Sequence, residues 1–90
     1  MIGVYIEGPS MTVEQYKSVD GKLRAAIGGP IEGLKLHTCF KSGDGLAIFD
    51  VWESQAAFEK LGATLMPIVQ EEGGEMGTPQ FVEMVAYEVA

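Results

Sequence analysis

Two β-prone runs flank Gly43-Asp44-Gly45, and this spacing constrains the chain more than any other feature. Strand-forming residues on either side of a glycine–aspartate–glycine turn close as a tight antiparallel hairpin, because these residues tolerate the positive φ that such turns require. A turn centred on Gly43 and Asp44 pairs Ser42 with Gly45, Phe40 with Ala47, Cys39 with Ile48, and His37 with Asp50. Side chains alternate between the two faces of a strand. One face of the hairpin therefore carries Leu34, Leu36, Thr38, Phe40, Ala47, Phe49 and Val51. The other carries Lys35, His37, Cys39, Lys41, Leu46, Ile48, Asp50 and Trp52. The first is a plain core face. The second gathers the only histidine, the only cysteine and the only tryptophan of the chain beside a carboxylate, and no other stretch offers a comparable site.

The 90 residues make one small domain, residues 1–90. A chain of this size buries only about 60–65% of its unfolded surface, so its core is thin and help from a partner subunit is expected. A net charge of −7, with cations limited to Arg24 and five lysines that form no stripe, argues against nucleic acid and anionic membranes as partners. A single cysteine cannot form an internal disulfide and fits a reducing, cytoplasmic setting. Neither a signal peptide nor a transmembrane run is evident.

Ile2 to Glu7 alternates as a strand and Gly8-Pro9-Ser10 ends it. Thr12 and Gln15 form a capping-box pair for a helix over Val13–Ile27, with Tyr16, Val19, Leu23 and Ile27 as its apolar stripe and Gly28-Gly29-Pro30 as its stop. Ser54 caps a second helix, whose buried side is Phe58, Leu61, Leu65, Ile68 and Val69. Pro67 removes one N–H and predicts a kink or break near Leu65–Met66. Phe81 to Val89 reads as the last strand.

The order strand, helix, strand, strand, helix, strand points to an α+β, ferredoxin-like sandwich, a four-stranded antiparallel sheet with two helices on one face. The right-handed crossover rule sets the first and third strands side by side in its centre. If Ile2, Val4 and Ile6 face the helices, then Tyr5, with Leu46, Ile48 and Trp52 of the hairpin, faces away. Burying four or five such side chains is worth several kcal/mol at about 25 cal/mol per Å2, so a second copy of the chain is expected to cover this open face. Two sheets meeting in that way would enclose a cavity lined by Tyr5, His37, Ile48, Asp50, Trp52 and Tyr87.

Met11-Thr12-Val13-Glu14-Gln15-Tyr16, Gly33-Leu34-Lys35-Leu36-His37 and, most specifically, Phe49-Asp50-Val51-Trp52-Glu53-Ser54 followed by Ala57-Phe58 resemble the small antibiotic-biosynthesis-monooxygenase-like proteins of the dimeric α/β-barrel superfamily. The resemblance spans nearly the whole chain. It implies a ferredoxin-like homodimer, but not one chemistry, because that superfamily includes cofactor-free oxygenases, haem-degrading enzymes, isomerases and members without known activity. Trp52 matches the cavity tryptophan of the quinone-forming and haem-degrading monooxygenases. Their cavity asparagine has no counterpart, since the chain contains no asparagine, and the second helix lacks the iron-binding histidine of the haem degraders. His37 matches a strand histidine of relatives with no assigned activity. These departures argue against haem and leave oxygenase activity open; if the chain is catalytic, its chemistry is expected to use no cofactor.

His37 beside Asp50 forms a candidate catalytic pair, in which the carboxylate favours and orients the imidazolium. His37 would take a proton from a phenol, enol or C–H acid, and the resulting carbanion would react with oxygen or isomerise. Trp52, Tyr5, Ile48 and Tyr87 would form the binding walls around a small apolar or aromatic ligand. The plainer alternative is a cross-strand pair worth about 0.2–1 kcal/mol at an interface, with the aromatics as interface filling in a non-catalytic binding or dimerisation module. One histidine and one cysteine among scattered carboxylates show no metal-ligand spacing. Cys39 reads as a small buried filler.

Overall fold

A computed structural model describes residues 1–90. Its elements are β1 (Ile2–Gly8), α1 (Val13–Ile27), β2 (Leu34–Ser42), β3 (Gly45–Trp52), α2 (Gln55–Glu71) and β4 (Gln80–Glu83). The sheet order is β2-β3-β1-β4, antiparallel throughout. This is the ferredoxin-like α+β arrangement that the element order implies, with β1 and β3 central.

Local chemistry sets the element ends. The Gln15 amide donates to Thr12 Oγ1 at 3.1 Å, and the Thr12 amide donates to Gln15 Oε1 at 3.0 Å. Two otherwise free N–H groups at the start of α1 are satisfied in this way. Gly28, at φ 72°, closes α1 by donating its N–H to Arg24 O. Ser54 Oγ accepts the Ala57 amide at 3.1 Å and opens α2.

Both helices cover one sheet face. Tyr16 and Val19 of α1 and Val69 of α2 pack with Leu46 and Cys39 of the hairpin and with Met11. A second cluster joins Val4, Ile6 and Trp52 to Phe58 and Leu61 of α2 and to Leu34. Trp52, Val4 and Val69 are essentially inaccessible to solvent, each contributing about 1.5–3 kcal/mol of burial.

Four sequence expectations are corrected. The first concerns the faces of the hairpin. β1 pairs with β3 with Ile2 opposite Trp52, Val4 opposite Asp50 and Ile6 opposite Ile48. Opposed residues share a face, so Trp52, Asp50 and Ile48 look toward the helices rather than away from them. Second, a β-bulge between Leu34 and Leu36 sets Leu34, not Lys35, opposite Trp52. An extra residue in one strand reverses the alternation beyond it, and Leu34 joins the helix side. Third, the alternative of a break near Leu65–Met66 does not occur, and α2 is one helix through Pro67. Only one ladder bond is lost there, and the buried side chain of Val69 two residues later holds the final turn in the core. Fourth, β4 ends at Glu83 rather than near Val89. Its ladder runs toward the start of β1, and the Met84 amide donates to Met1 O at 3.1 Å, where β1 is used up.

Gly45 shows how closely the centre is assembled. A Cβ there would collide with the backbone carbonyl oxygens of Gly8 and Pro9, neither of which can rotate away. Gly45→Ala is therefore expected to destabilise the fold by about 2–4 kcal/mol, read from the shift of the urea unfolding midpoint at constant slope.

Candidate functional site

The antiparallel register sets His37 directly opposite Asp50, the pairing that the Gly43-Asp44 turn requires. The His37 Nδ1 to Asp50 Oδ1 distance is 2.7 Å. A carboxylate only accepts, so Nδ1 carries the proton and the Nε2 lone pair faces the other way. There it meets Tyr16 Oη of α1 at 2.5 Å, and the phenol donates to it. The two rings lie within 12° of parallel. Asp50 is 7% exposed, so its charge is held by this contact instead of by water.

Three residues from three elements thus form one chain, Asp50–His37–Tyr16. It runs along the wall of a cavity of about 60 Å3 between the sheet and the helices, and most of the lining is apolar. Ile48, Trp52, Phe58, Leu61 and Leu65 supply much of that apolar wall, while Asp20 and Arg24 of α1 also line it. Trp52 sets its ring edge-on to Phe58 with centroids 5.8 Å apart. The Trp52 indole N–H is buried and has no hydrogen-bond partner.

The electrostatics follow from these contacts. His37 is held above its ordinary 6.5, first through its hydrogen bond to Asp50 and against the opposing effect of burial. Burial pushes the Tyr16 phenol up to about 12, so its neutral, donating form dominates near neutrality. Burial also raises the Cys39 thiol; this cysteine packs beside the hydrophobic core and is not a poised nucleophile.

Of the six residues singled out from the sequence, the structure brings together His37, Asp50, Trp52 and Ile48 around this cavity. Tyr5 does not join them. It is paired with Phe49 on the opposite sheet face, where its hydroxyl donates to Glu7 at 2.8 Å. Tyr87 lies beyond β4, partly exposed. The cavity itself lies between sheet and helices within one chain, not between two sheets. Tyr16 is the residue that sequence reasoning missed. It sat in the apolar stripe of α1, and the signal available was its hydroxyl, since a tyrosine facing a core needs a polar partner.

Comparison with known proteins adds the fold and leaves the chemistry open. No family model and no curated protein matches this sequence. Solved structures do match. A candidate antibiotic biosynthesis monooxygenase from Deinococcus radiodurans aligns over 100% of this chain and 98% of its own at 11% identity, with a TM-score of 0.63. SnoaB, a cofactor-independent oxygenase from Streptomyces nogalater, aligns over 96% of this chain and 93% of its own at 16% identity and TM-score 0.61. The ActVA-Orf6 monooxygenase of Streptomyces coelicolor, solved with nanaomycin D, aligns over 99% and 88% at 22% identity and TM-score 0.59. The chain therefore has the ferredoxin-like fold of the antibiotic-biosynthesis-monooxygenase-like proteins. At these identities the likeness carries the architecture alone.

The raised His37 pKa has a definite consequence for stability. Its contribution is fully present below the unfolded value of about 6.5 and is lost as pH rises through the higher folded pKa. His37→Gln is expected to lower Tm more at pH 6 than at pH 9. Thermal unfolding of both proteins across that range checks the sign, and a gap that widens with pH would be incompatible with it.

Proposed function

We propose that this chain is a cofactor-free, monooxygenase-like enzyme acting on a small aromatic or polyketide-like compound. The observation that carries the reading is the Asp50–His37–Tyr16 chain along the wall of an apolar cavity. The substrate would present an acidic CH2 conjugated with a phenol or enol. As Tyr16 Oη takes a proton from that carbon, it passes its own proton to His37 Nε2, and Asp50 balances the imidazolium. The transfer is concerted, because a pKa of about 12 disfavours a free tyrosinate.

The carbanion then gives an electron to O2, and the radical pair forms a C–O bond, leaving a peroxide anion. The proton returns from His37 through Tyr16 to make the hydroperoxide. Loss of water, with the remaining hydrogen of the carbon, leaves a carbonyl. In total the CH2 compound and O2 yield the C=O compound and H2O, so no external reductant is needed. Trp52 and Ile48 supply binding walls. The resting cavity is smaller than the void of about 150 Å3 that admits benzene, so substrate entry displaces side chains. Met76, a flexible thioether on the segment between α2 and β4, is the lining residue best suited to yield.

The test uses 2-indanone, whose CH2 groups are activated by both ring and carbonyl. Wild-type protein should consume O2 and place 18O from labelled O2 in the product. His37→Ala and Tyr16→Phe should each lower the rate by about 100- to 10,000-fold while far-UV circular dichroism is retained. Solvent deuterium exchange without O2 uptake would turn the reading into an isomerase using the same relay. Neither exchange nor uptake would leave a binding module.

The proposal includes a cytoplasmic homodimer joined through the sheet face that the helices leave bare. That face offers Phe40 and Val82, 44% and 51% exposed, and Phe49, which crowds over Gly3 with Val82 and Met84. Apolar groups gathered in this way favour a partner surface. Sedimentation equilibrium should give twice the 9.7 kDa chain mass. Val82→Asp should shift the protein to monomer, because the aspartate would be buried without a partner.

A further inference from the structure

Among the polar groups lining the cavity, the carboxylates are already engaged and the spare capacity lies with donors. His37 uses both ring nitrogens, one on Asp50 and one on Tyr16. Asp20 faces Arg24 at 3.5 Å, a loose i,i+4 ion pair through Nε. Two donors are left over. The Trp52 indole N–H is buried without a partner. Arg24 makes no side-chain hydrogen bond beyond that ion pair, and its Nη fork, two nitrogens in a plane, is free.

Arg24 is the only arginine of the chain and the only Lys or Arg in the cavity wall. Its side chain is 48% exposed, so it stands where the apolar chamber meets solvent. Tyr16, Asp20 and Arg24 follow at four-residue intervals on α1 and share one helix face. At 1.5 Å rise per residue, about 12 Å of helix separates Tyr16 from Arg24. A ligand in this space would lay its apolar body along Leu23 and the ring of Trp52, with one acceptor at the Arg24 fork and room for a second at the Trp52 N–H.

We infer that the cavity selects a ring-bearing carboxylic acid, with Arg24 at the mouth gripping the carboxylate while the ring enters between the sheet and the helices. A planar guanidinium fork matches a carboxylate with two parallel N–H···O bonds, which an ammonium cannot reproduce. With a net charge of −7, the chain as a whole repels anions, so this one cation determines whether an anion is admitted. Asp20 holds the guanidinium only through Nε, at 3.5 Å, so a ligand carboxylate can take the Nη fork, and the Asp20 charge beside it weakens that hold. The inference rests on the cavity being the ligand site, as in the function proposed above, and names its substrate class.

Benzoate and benzamide, nearly identical in shape, test it directly. Trp52 is the only tryptophan and lines the cavity, so intrinsic fluorescence reports occupancy. Benzoate should bind the wild-type protein at least ten times more tightly than benzamide. Arg24→Gln should reduce that ratio to about one, Arg24→Lys should restore part of it, and Asp20→Asn should tighten benzoate binding. Equal affinities in the wild type, an undiminished ratio in Arg24→Gln, or no response to either compound up to 10 mM would each overturn the inference. The assay needs no turnover. Carboxylate selectivity through Arg24 in a protein that consumes no oxygen sinks the oxygenase and leaves this inference intact. Oxygen uptake without carboxylate preference does the reverse.

Discussion

The pairing of β1 with β3 is the constraint on which the rest of the structure depends. With Ile2 opposite Trp52 and Val4 opposite Asp50, the face of β3 that carries Ile48, Asp50 and Trp52 is committed to the side that the helices cover. A shift by one residue would exchange the faces of the whole strand. Trp52 and Asp50 would then face the bare side, and Val51 and Phe49 would fill the core. The register that buries Val4 and Ile6 is the same one that brings the carboxylate under α1. Core packing and site assembly are one choice, made by a single strand pair.

Placing Asp50 in that interior makes demands on its neighbours. A buried carboxylate is tolerated only when it is paired, and His37 is delivered opposite it by the Gly43-Asp44 turn. A histidine bound on one nitrogen still has the other to satisfy, and Tyr16 meets it from α1. Each partner therefore solves the solvation problem of the one before it. The Trp52 N–H breaks this sequence. An unmet buried donor costs about 1–3 kcal/mol, a substantial fraction of the stability of a 90-residue chain. That cost is tolerable in a site whose ligand brings an acceptor.

Much of this was legible in the amino-acid sequence, and the rest was hidden for definable reasons. The hairpin register was readable because a two-residue turn fixes it, and so were the Thr12–Gln15 and Ser54 caps, which are local chemistry. The orientation of the hairpin against β1 was not readable. Both faces of β3 are apolar enough to be buried, and Phe81–Val89 is apolar at both parities, so alternation could not choose. The bulge at Lys35 left no glycine or proline to mark it. Tyr5 and Tyr87 were placed in the site by the same inverted face, and Tyr16 was left out because its helical spacing fits the apolar stripe equally well. Of the candidate site, the residues within one hairpin were visible, while the contribution of α1 required the tertiary structure.

The arrangement also separates two tasks that a dimeric cavity would have combined. With the Asp50–His37–Tyr16 chain enclosed between sheet and helices, the bare face carrying Phe40, Phe49 and Val82 lies apart from the candidate site. It is free to be as apolar as association demands. Under the proposed function, the helix side would have to deform to admit a ligand larger than its resting 60 Å3, which a thin core makes easier. A rigid contact on the opposite face of the same sheet would hold the positions of Asp50 and His37 while α1, α2 and the Met76 segment adjust. Association would then supply the stability that the cavity, the unpaired indole N–H and the buried carboxylate take away.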